Sequence, residues 1–266
     1  MTVLGPILFR LIAFVPQLLG VVLVSFLLLK LIPGDPAPMM LGPLATTEAI
    51  AKLRAELGLD QALPVQLWQY LVRLAHGDLG RSWQTTNPVV TDLAIRIPAT
   101  LELVTLGLAL ALAIGVPLGL AAGRRPGGRA DRVSGLLLDA LFSLPSFALG
   151  LLLLLVFAVR LRWVPVFAEP SGGVAGLALP ALTLALVALA PIARVVRESV
   201  RAALGSPSAV AGRARGESPH EETLRALRRS APAFAGLLAA LVPQLVAGSV
   251  LVERVFAVPG TGQLLA

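Results

Sequence analysis

Five runs of about twenty apolar residues, separated by segments too polar to enter hydrocarbon, set the terms on which this chain can fold. They are Leu11 to Leu29, then residues 99–123, 134–159, 174–193 and 233–252. Wound as a helix, a run of that length matches a bilayer core, and backbone in lipid must satisfy its own N–H and C=O groups. Composition agrees, with 56% hydrophobic residues, 14% charged residues and a mean hydropathy of +0.85. The expected fold is therefore all-α, a polytopic transmembrane helical bundle. It divides into an N-terminal segment with the first helix (1–32), an external helical loop region (33–98) and a membrane core (99–266). Arg10 and Lys30 flank the first run, and Leu31-Ile32-Pro33-Gly34-Asp35-Pro36 follows it in place of a small-residue cleavage site. It reads as a retained helix, not a signal peptide.

A net charge of +7, from 22 basic against 15 acidic residues, can signal nucleic acid, but the distribution argues against it. Arg124, Arg125, Arg129 and Arg132 crowd the second loop, and Arg194, Arg197, Arg201, Arg213, Arg215, Arg225, Arg228 and Arg229 crowd the fourth. The long loop from Pro33 to Pro98 and the loop at Arg160 and Arg162 are sparse by comparison. Alternation of that kind follows the positive-inside rule, which puts loops two and four, and the N-terminus, in the cytoplasm. No nucleic-acid partner is expected. There is no cysteine, the two histidines lie far apart, and neither Lys30 nor Lys52 precedes the Ser or Thr of a phosphate-binding loop. No catalytic or metal residues are assigned, and this chain is expected to bind no cofactor of its own.

The fourth loop carries its own folding signals. Ser206-Pro207 forms an N-cap with proline at the first helical position, and Gly216 stands where a C-terminal glycine cap belongs. Arg213 and Arg215 fall in the last turn of that short helix, where positive charge complements the helix dipole. Ser218-Pro219-His220-Glu221 then repeats the start signal as a capping box, opening a second helix through Leu224 and Leu227 toward Pro232. A membrane protein thus presents a compact helical elbow, at about 197–232, to one aqueous side.

In the external region, Thr46 or Thr47 caps a helix that places Ile50, Leu53 and Leu57 on one face and stops at Gly58. A second helix opens at Pro64 and lays Trp68, Leu71 and Ala75 along one stripe. These faces can pack on each other, lie on the membrane surface or meet a partner; self-packing is the expectation. Pro98 closes the region. Pro117, Pro145, Pro180 and Pro191 interrupt or bound helices, and Gly107, Gly115, Gly119 and Gly150 allow close backbone approach. Ser143, Pro145, Ser146 and Gln244 are assigned to a substrate pathway. Among ionisable residues inside the spans, only Glu102 and Asp139 qualify, each near a helix end within reach of water.

Several motifs in sequence order carry a resemblance. They are Leu31 to Pro36, Leu57-Gly58-Leu59-Asp60, Gly77-Asp78-Leu79-Gly80-Arg81-Ser82, Arg96-Ile97-Pro98-Ala99-Thr100-Leu101-Glu102-Leu103, Ser143-Leu144-Pro145-Ser146-Phe147 and Leu251-Val252-Glu253-Arg254-Val255-Phe256 leading to Pro259-Gly260-Thr261-Gly262. From Arg10 to Leu265 the chain resembles the B-type permease subunits of bacterial ABC importers for dipeptides, oligopeptides and nickel. The resemblance implies a pore-forming subunit in the bacterial inner membrane that works with a paralogous permease, two cytoplasmic ATPase subunits that bind ATP and Mg, and an extracytoplasmic substrate-binding protein. It further implies that Ala211, Gly212, Arg213, Ala214, Arg215, Gly216 and Glu217 match the cytoplasmic coupling stretch. Members of this family continue into a sixth span, so either the sequence to Ala266 is a fragment whose coding region continues, or that helix is missing. The alternative, a secondary transporter driven by an ion gradient, needs midplane ion sites and inverted repeats. An intramembrane hydrolase needs a nucleophile and base at membrane depth, and Glu102 and Asp139 lie near opposite faces.

Overall fold

The computed structural model describes residues 4–31, 35–42, 44–82, 85–165 and 176–265. Ile32, Pro33 and Gly34 of the first motif lie outside them, as do positions 174–175 of the fourth apolar run. Helices account for nearly all of the described structure; the single extended feature is an isolated bridge between Arg81 and Pro88. The helices fall into two compact units, Met1–Asp92 and Leu93–Ala266.

The first unit contains α1 (Leu4–Leu31), α2 (Pro36–Leu41), α3 (Thr47–Glu56) and α4 (Leu63–Ala75). Asp35 caps α2 by accepting from the Ala37 N–H at 3.1 Å, and Thr46 caps α3 through the Ala49 N–H at 3.2 Å. Gly58, at φ +67°, ends α3 as expected of a residue without a Cβ. Arg54 then bridges Asp35 and Asp60, which pins the start of α2 to the turn after α3. The apolar stripe of α4 departs from expectation. Leu67, Tyr70, Leu71 and Leu74 are half-buried, with the Tyr70 ring stacked 5.9 Å from Phe26 of α1, whereas Trp68 stays 68% exposed. Self-packing covers only one edge of the stripe, because the contact with α1 rotates Trp68 outward.

The membrane core is built around α5 (Val89–Arg124) and α8 (Ala178–Leu204). Small residues recur every fourth position on α5: Gly107, Ala111, Gly115, Gly119 and Gly123. Without side chains to hold the backbones apart, helices in lipid gain close van der Waals contact along such a stripe. A Cβ added at Gly119 would lie 2.6 Å from the Ala193 carbonyl oxygen, and one at Gly123 would lie 2.8 Å from that of Arg197. Gly107 meets Leu184 and Gly115 meets Ile192 in the same way. The pairing keeps a constant offset along both helices, so α5 and α8 run parallel and their arginine-rich ends emerge on the same side. This accords with the placement of loops two and four.

Between them the chain returns through α6 (Arg129–Ser143) and α7 (Ser146–Leu153), the latter continued by a wider π-helical turn over Leu154–Arg160. The run 134–159 is therefore not one continuous helix. Leu144 is extended at φ −88°, ψ 132°, because Pro145 supplies no N–H and its ring disfavours helical geometry in the residue before it. Among the described residues, four helices are long and apolar enough to cross a membrane, and the fifth crossing expected from hydropathy consists of shorter pieces. Pro98 does not end a segment either. It lies inside α5, which at 36 residues spans about 54 Å and outruns the bilayer core.

The last long helix, α10, runs unbroken from Pro219 to Val255 through Pro232 and Pro243. The elbow's second helix and the final apolar run are thus one rod of 37 residues. Leu241, Leu245, Val252 and Phe256 join Leu103, Leu184 and Ile192 in the main core. Gly150 of α7 fits beneath Phe256, whose ring would lie 3.2 Å from an added Cβ.

The seam between α5 and α8 predicts an asymmetry among glycines. Gly119→Ala forces a Cβ against the α8 backbone and should destabilise the bundle by about 1–3 kcal/mol. Gly135→Ala on α6, which meets nothing within 4 Å, should be neutral or slightly stabilising. Thermal unfolding of the two variants in detergent measures the difference.

Candidate coupling site

The elbow forms from caps that the sequence spells out. The short helix α9 (Pro207–Ala214) starts at Ser206, whose Oγ accepts from the Ala209 N–H at 3.3 Å. At its other end the Gly216 N–H donates to the Arg213 carbonyl at 3.0 Å and the Glu217 N–H donates to the Gly212 carbonyl at 3.2 Å. That pair of bonds is a Schellman cap, and it needs the left-handed φ of +83° found at Gly216. Two residues later the Ser218 N–H donates to Glu221 Oε2 at 2.8 Å while the Glu221 N–H donates to Ser218 Oγ at 3.3 Å, closing the capping box of α10. A well-capped eight-residue helix is thus set between two long ones with a short tight turn at each end.

The seven residues of the coupling stretch divide by direction. Ala211, Arg213, Ala214 and Arg215 are exposed, alongside Val210, which is 57% exposed. Gly212 is buried against α10, where an added Cβ would run into the Glu217 carboxylate and the Arg225 guanidinium. Glu217 pairs with Arg225 and, at 3.3 Å, with Arg215, while Arg213 pairs with Glu222 at 3.0 Å. Arg229 and Arg225 also donate to Ser208, on its hydroxyl and carbonyl respectively. Gly212, Gly216 and Glu217 therefore shape and brace the elbow, and the outward face is small and apolar with arginines on its rim.

Two further ties fix the elbow to the bundle, and sequence reading did not single them out. The Arg124 guanidinium, ending α5, donates to Thr223 Oγ1 at 3.1 and 2.6 Å, joining α5 to the first turns of α10. Arg197 of α8 pairs with Asp131 at 2.6 Å, and the Gly127 N–H donates to the same carboxylate at 2.8 Å. The Gly127 N–H and the Arg197 charge hold the Asp131 carboxyl below the usual aspartate value. The Ser218 N–H and hydroxyl likewise lower that of Glu221.

The candidate pathway residues are less closely gathered. Pro145 is the N-cap of α7, Ser146 is its half-buried first residue, and exposed Ser143 returns its hydroxyl to the Asp139 carbonyl at 2.8 Å. All three mark the break between α6 and α7. Gln244 is exposed on α10 and has no hydrogen bond to them among the described residues. Of the two ionisable candidates, Glu102 is exposed. Asp139 pairs with Arg194 at 2.5 Å beside a cavity of about 340 Å³ between α5, α6 and α8.

Among the described residues the fully buried charge is instead Glu253, which hydropathy leaves just past the end of the last apolar run. Its Oε1 accepts from Ser249 at 3.0 Å and its Oε2 from the Gly262 N–H at 2.6 Å. The turn at Pro259 to Gly262 folds back over the end of α10, and the Thr261 N–H donates to Thr100 of α5 at 2.9 Å. Gly260 touches both Glu253 and Thr100 and leaves no room for a Cβ. The signal lay in the motif itself, a glutamate nine residues before a glycine whose amide it binds.

The lowered values of Asp131 and Glu221 set a pH window. A carboxylate depressed by folding adds stability above its unfolded value, and that contribution is lost as pH falls through the folded value. The stability gap between wild type and Asp131→Asn should be full at neutral pH and should close below 3.8, the ordinary aspartate value. Thermal unfolding of both proteins across an acid series checks this.

Comparison with known proteins bears on nearly the whole length. Residues 115–266 match the family described as binding-protein-dependent transport system inner membrane component, and residues 3–104 match the N-terminal part of such membrane components. A Brucella abortus protein provisionally named a peptide transport system permease is 36% identical over 260 residues, covering 94% of this chain and 82% of its own. A glutathione transport system permease protein of Salmonella typhi is 36% identical over 263 residues, covering 98% of this chain and 85% of its own.

Proposed function

This chain belongs to the family of binding-protein-dependent transport system inner membrane components, and on that premise we propose that it forms one half of the pore of an ATP-driven importer for peptides. A paralogous permease supplies the other half, and an extracytoplasmic binding protein delivers the cargo. Two cytoplasmic ATPase subunits hold ATP and Mg. The N-terminus lies in the cytoplasm, on the side of the arginine-rich loops. Peptide-class cargo, including the tripeptide glutathione, is favoured over a nickel complex because the similar permeases are named for peptide and glutathione transport.

The observation that carries the coupling role is the mounting of α9. Its outward face of Val210, Ala211 and Ala214 is small enough to enter a groove on an ATPase subunit, with Arg213 and Arg215 reaching the groove's edges. Both stems continue without a break into the membrane, α8 on one side and α10 on the other. A displacement of α9 is therefore passed to the core as motion of rods rather than absorbed in a slack loop. The bundle itself is a transport subunit and carries no hydrolytic chemistry.

Two variants test this. Gly216→Val places a β-branched residue at a left-handed φ, at a cost of roughly 1–2 kcal/mol confined to the Schellman turn. The Arg213→Glu, Arg215→Glu double substitution inverts the rim charge and leaves the caps intact. Both proteins should insert at normal abundance, and the assembled complex should lose substrate-stimulated ATP hydrolysis and uptake by at least about tenfold, the equivalent of a lost charge-assisted contact. Wild-type transport by both variants would rule out the docking role.

A further inference from the structure

We infer that α4 is an interfacial helix whose bare apolar sector is seated in the lipid bilayer, at the headgroup boundary beside the end of α1. Three sectors run along this helix, and two are occupied. Leu67, Tyr70 and Leu74 form the half-buried sector, whose Tyr70 stacks on Phe26 of α1 at 5.9 Å. Gln66 and Gln69 turn toward the loop before the helix: Gln66 donates to the Leu59 and Gln61 carbonyls at 3.1 and 2.7 Å, and Gln69 donates to the Gln61 side chain at 2.9 Å. These contacts fix the rotation of α4 about its axis. The third sector, Val65, Trp68 and Val72 at 45%, 68% and 37% exposure, has no cover among the described residues.

Depth identifies what covers it. Phe26 lies two residues inside the end of the apolar window Leu8–Leu28, which is about 3 Å along the helix axis. The Lys30 ammonium lies 5.8 Å from the centre of the Phe26 ring, a cation–π contact that places a charge one turn beyond Phe26 on α1. Stacking on Phe26 therefore holds α4 at the level where hydrocarbon gives way to headgroups. Tryptophan favours that level, since its ring is apolar and its indole N–H needs a polar neighbour. An amphipathic helix lying there sinks its apolar side about 5–10 Å below the surface. The apolar surface of α1 at this level, including Val24, Leu27 and Leu28, is exposed as well. The partner is thus phospholipid acyl chain, with Arg73 on the polar side of α4 available to phosphate. None of this depends on the coupling role of α9.

The test reads Trp68 by its fluorescence in the assembled transporter, reconstituted in phosphatidylethanolamine and phosphatidylglycerol vesicles. Trp83→Phe and Trp163→Phe leave Trp68 as the sole tryptophan of this chain, and comparison with Trp68→Phe in the same background removes the signal of the other subunits. Lipid brominated near the headgroup end of the acyl chain should quench Trp68 at least about twofold, and lipid brominated near the chain terminus should quench it less, as expected for an interfacial depth. Aqueous iodide should have little effect. Trp68→Phe in the otherwise native chain should remove the same lipid-quenched component, which guards against a background variant that folds poorly. Quenching by iodide without quenching by lipid would show a water-facing surface, and protection from iodide by the external binding protein would identify that protein as the occupant. Insensitivity to both would show a protein cover within the assembly. Each of these results overturns the lipid assignment.

Discussion

The close approach of α5 and α8 is the contact on which the rest of the membrane core depends. In lipid there is little hydrophobic gain from joining two apolar helices, so their association relies on van der Waals contact that only small residues permit. Gly107, Ala111, Gly115, Gly119 and Gly123 supply that contact over four turns, with Gly119 and Gly123 bringing the α8 backbone itself into range. Because α8 is then enclosed, most of its apolar window is buried, unlike that of the other long helices among the described residues. The helices α6, α7 and α10 pack around it, and the parallel arrangement of α5 and α8 brings Arg124, Arg197 and the elbow to one end.

Polar contacts close both ends of this apolar core. At the elbow end, Arg124 reaches Thr223 and Arg197 reaches Asp131, so α5 is tied to α10 and α8 to α6 where they leave the membrane. At the opposite end, Glu253 binds the Gly262 amide and Thr100 binds Thr261, closing the last turn over α5 and α10. A buried carboxylate is costly unless its oxygens are satisfied, and here Ser249 and Gly262 each serve one oxygen. The long rods between these ties transmit displacement. Pro232 and Pro243 each remove one backbone donor from α10 without breaking it, and Pro191 does the same in α8.

Much of this organisation was legible in the sequence where local chemistry decides the outcome. Ser206, Gly216, Ser218 and Glu221 form caps because their side chains or permitted φ values satisfy nearby backbone groups, whatever the tertiary context. The glycines of α5 were readable for a similar reason, since an apolar run tolerates them chiefly where another backbone approaches. Continuity was harder to read. Pro98 and Pro232 look like boundaries, yet both sit within helices, whereas Pro145 does end one; the choice depends on neighbours that can stabilise the missing bond. Glu253 escaped a hydropathy window because its partner, the Gly262 amide, is backbone and leaves no mark in composition. Trp68 escaped for a geometric reason: its stripe is wide enough to offer two faces, and only the Tyr70–Phe26 stack shows which one is covered.

The central claim is that α9 presents Val210 outward to an ATPase subunit while Gly212 faces inward. A photoreactive amino acid placed at Val210 in the assembled transporter tests it most directly, with Leu110, exposed on the apolar part of α5, as the control position. Illumination should join this chain to an ATPase subunit from position 210 and not from position 110. Absence of that adduct at 210, in a complex that still transports, would contradict the coupling role of the elbow.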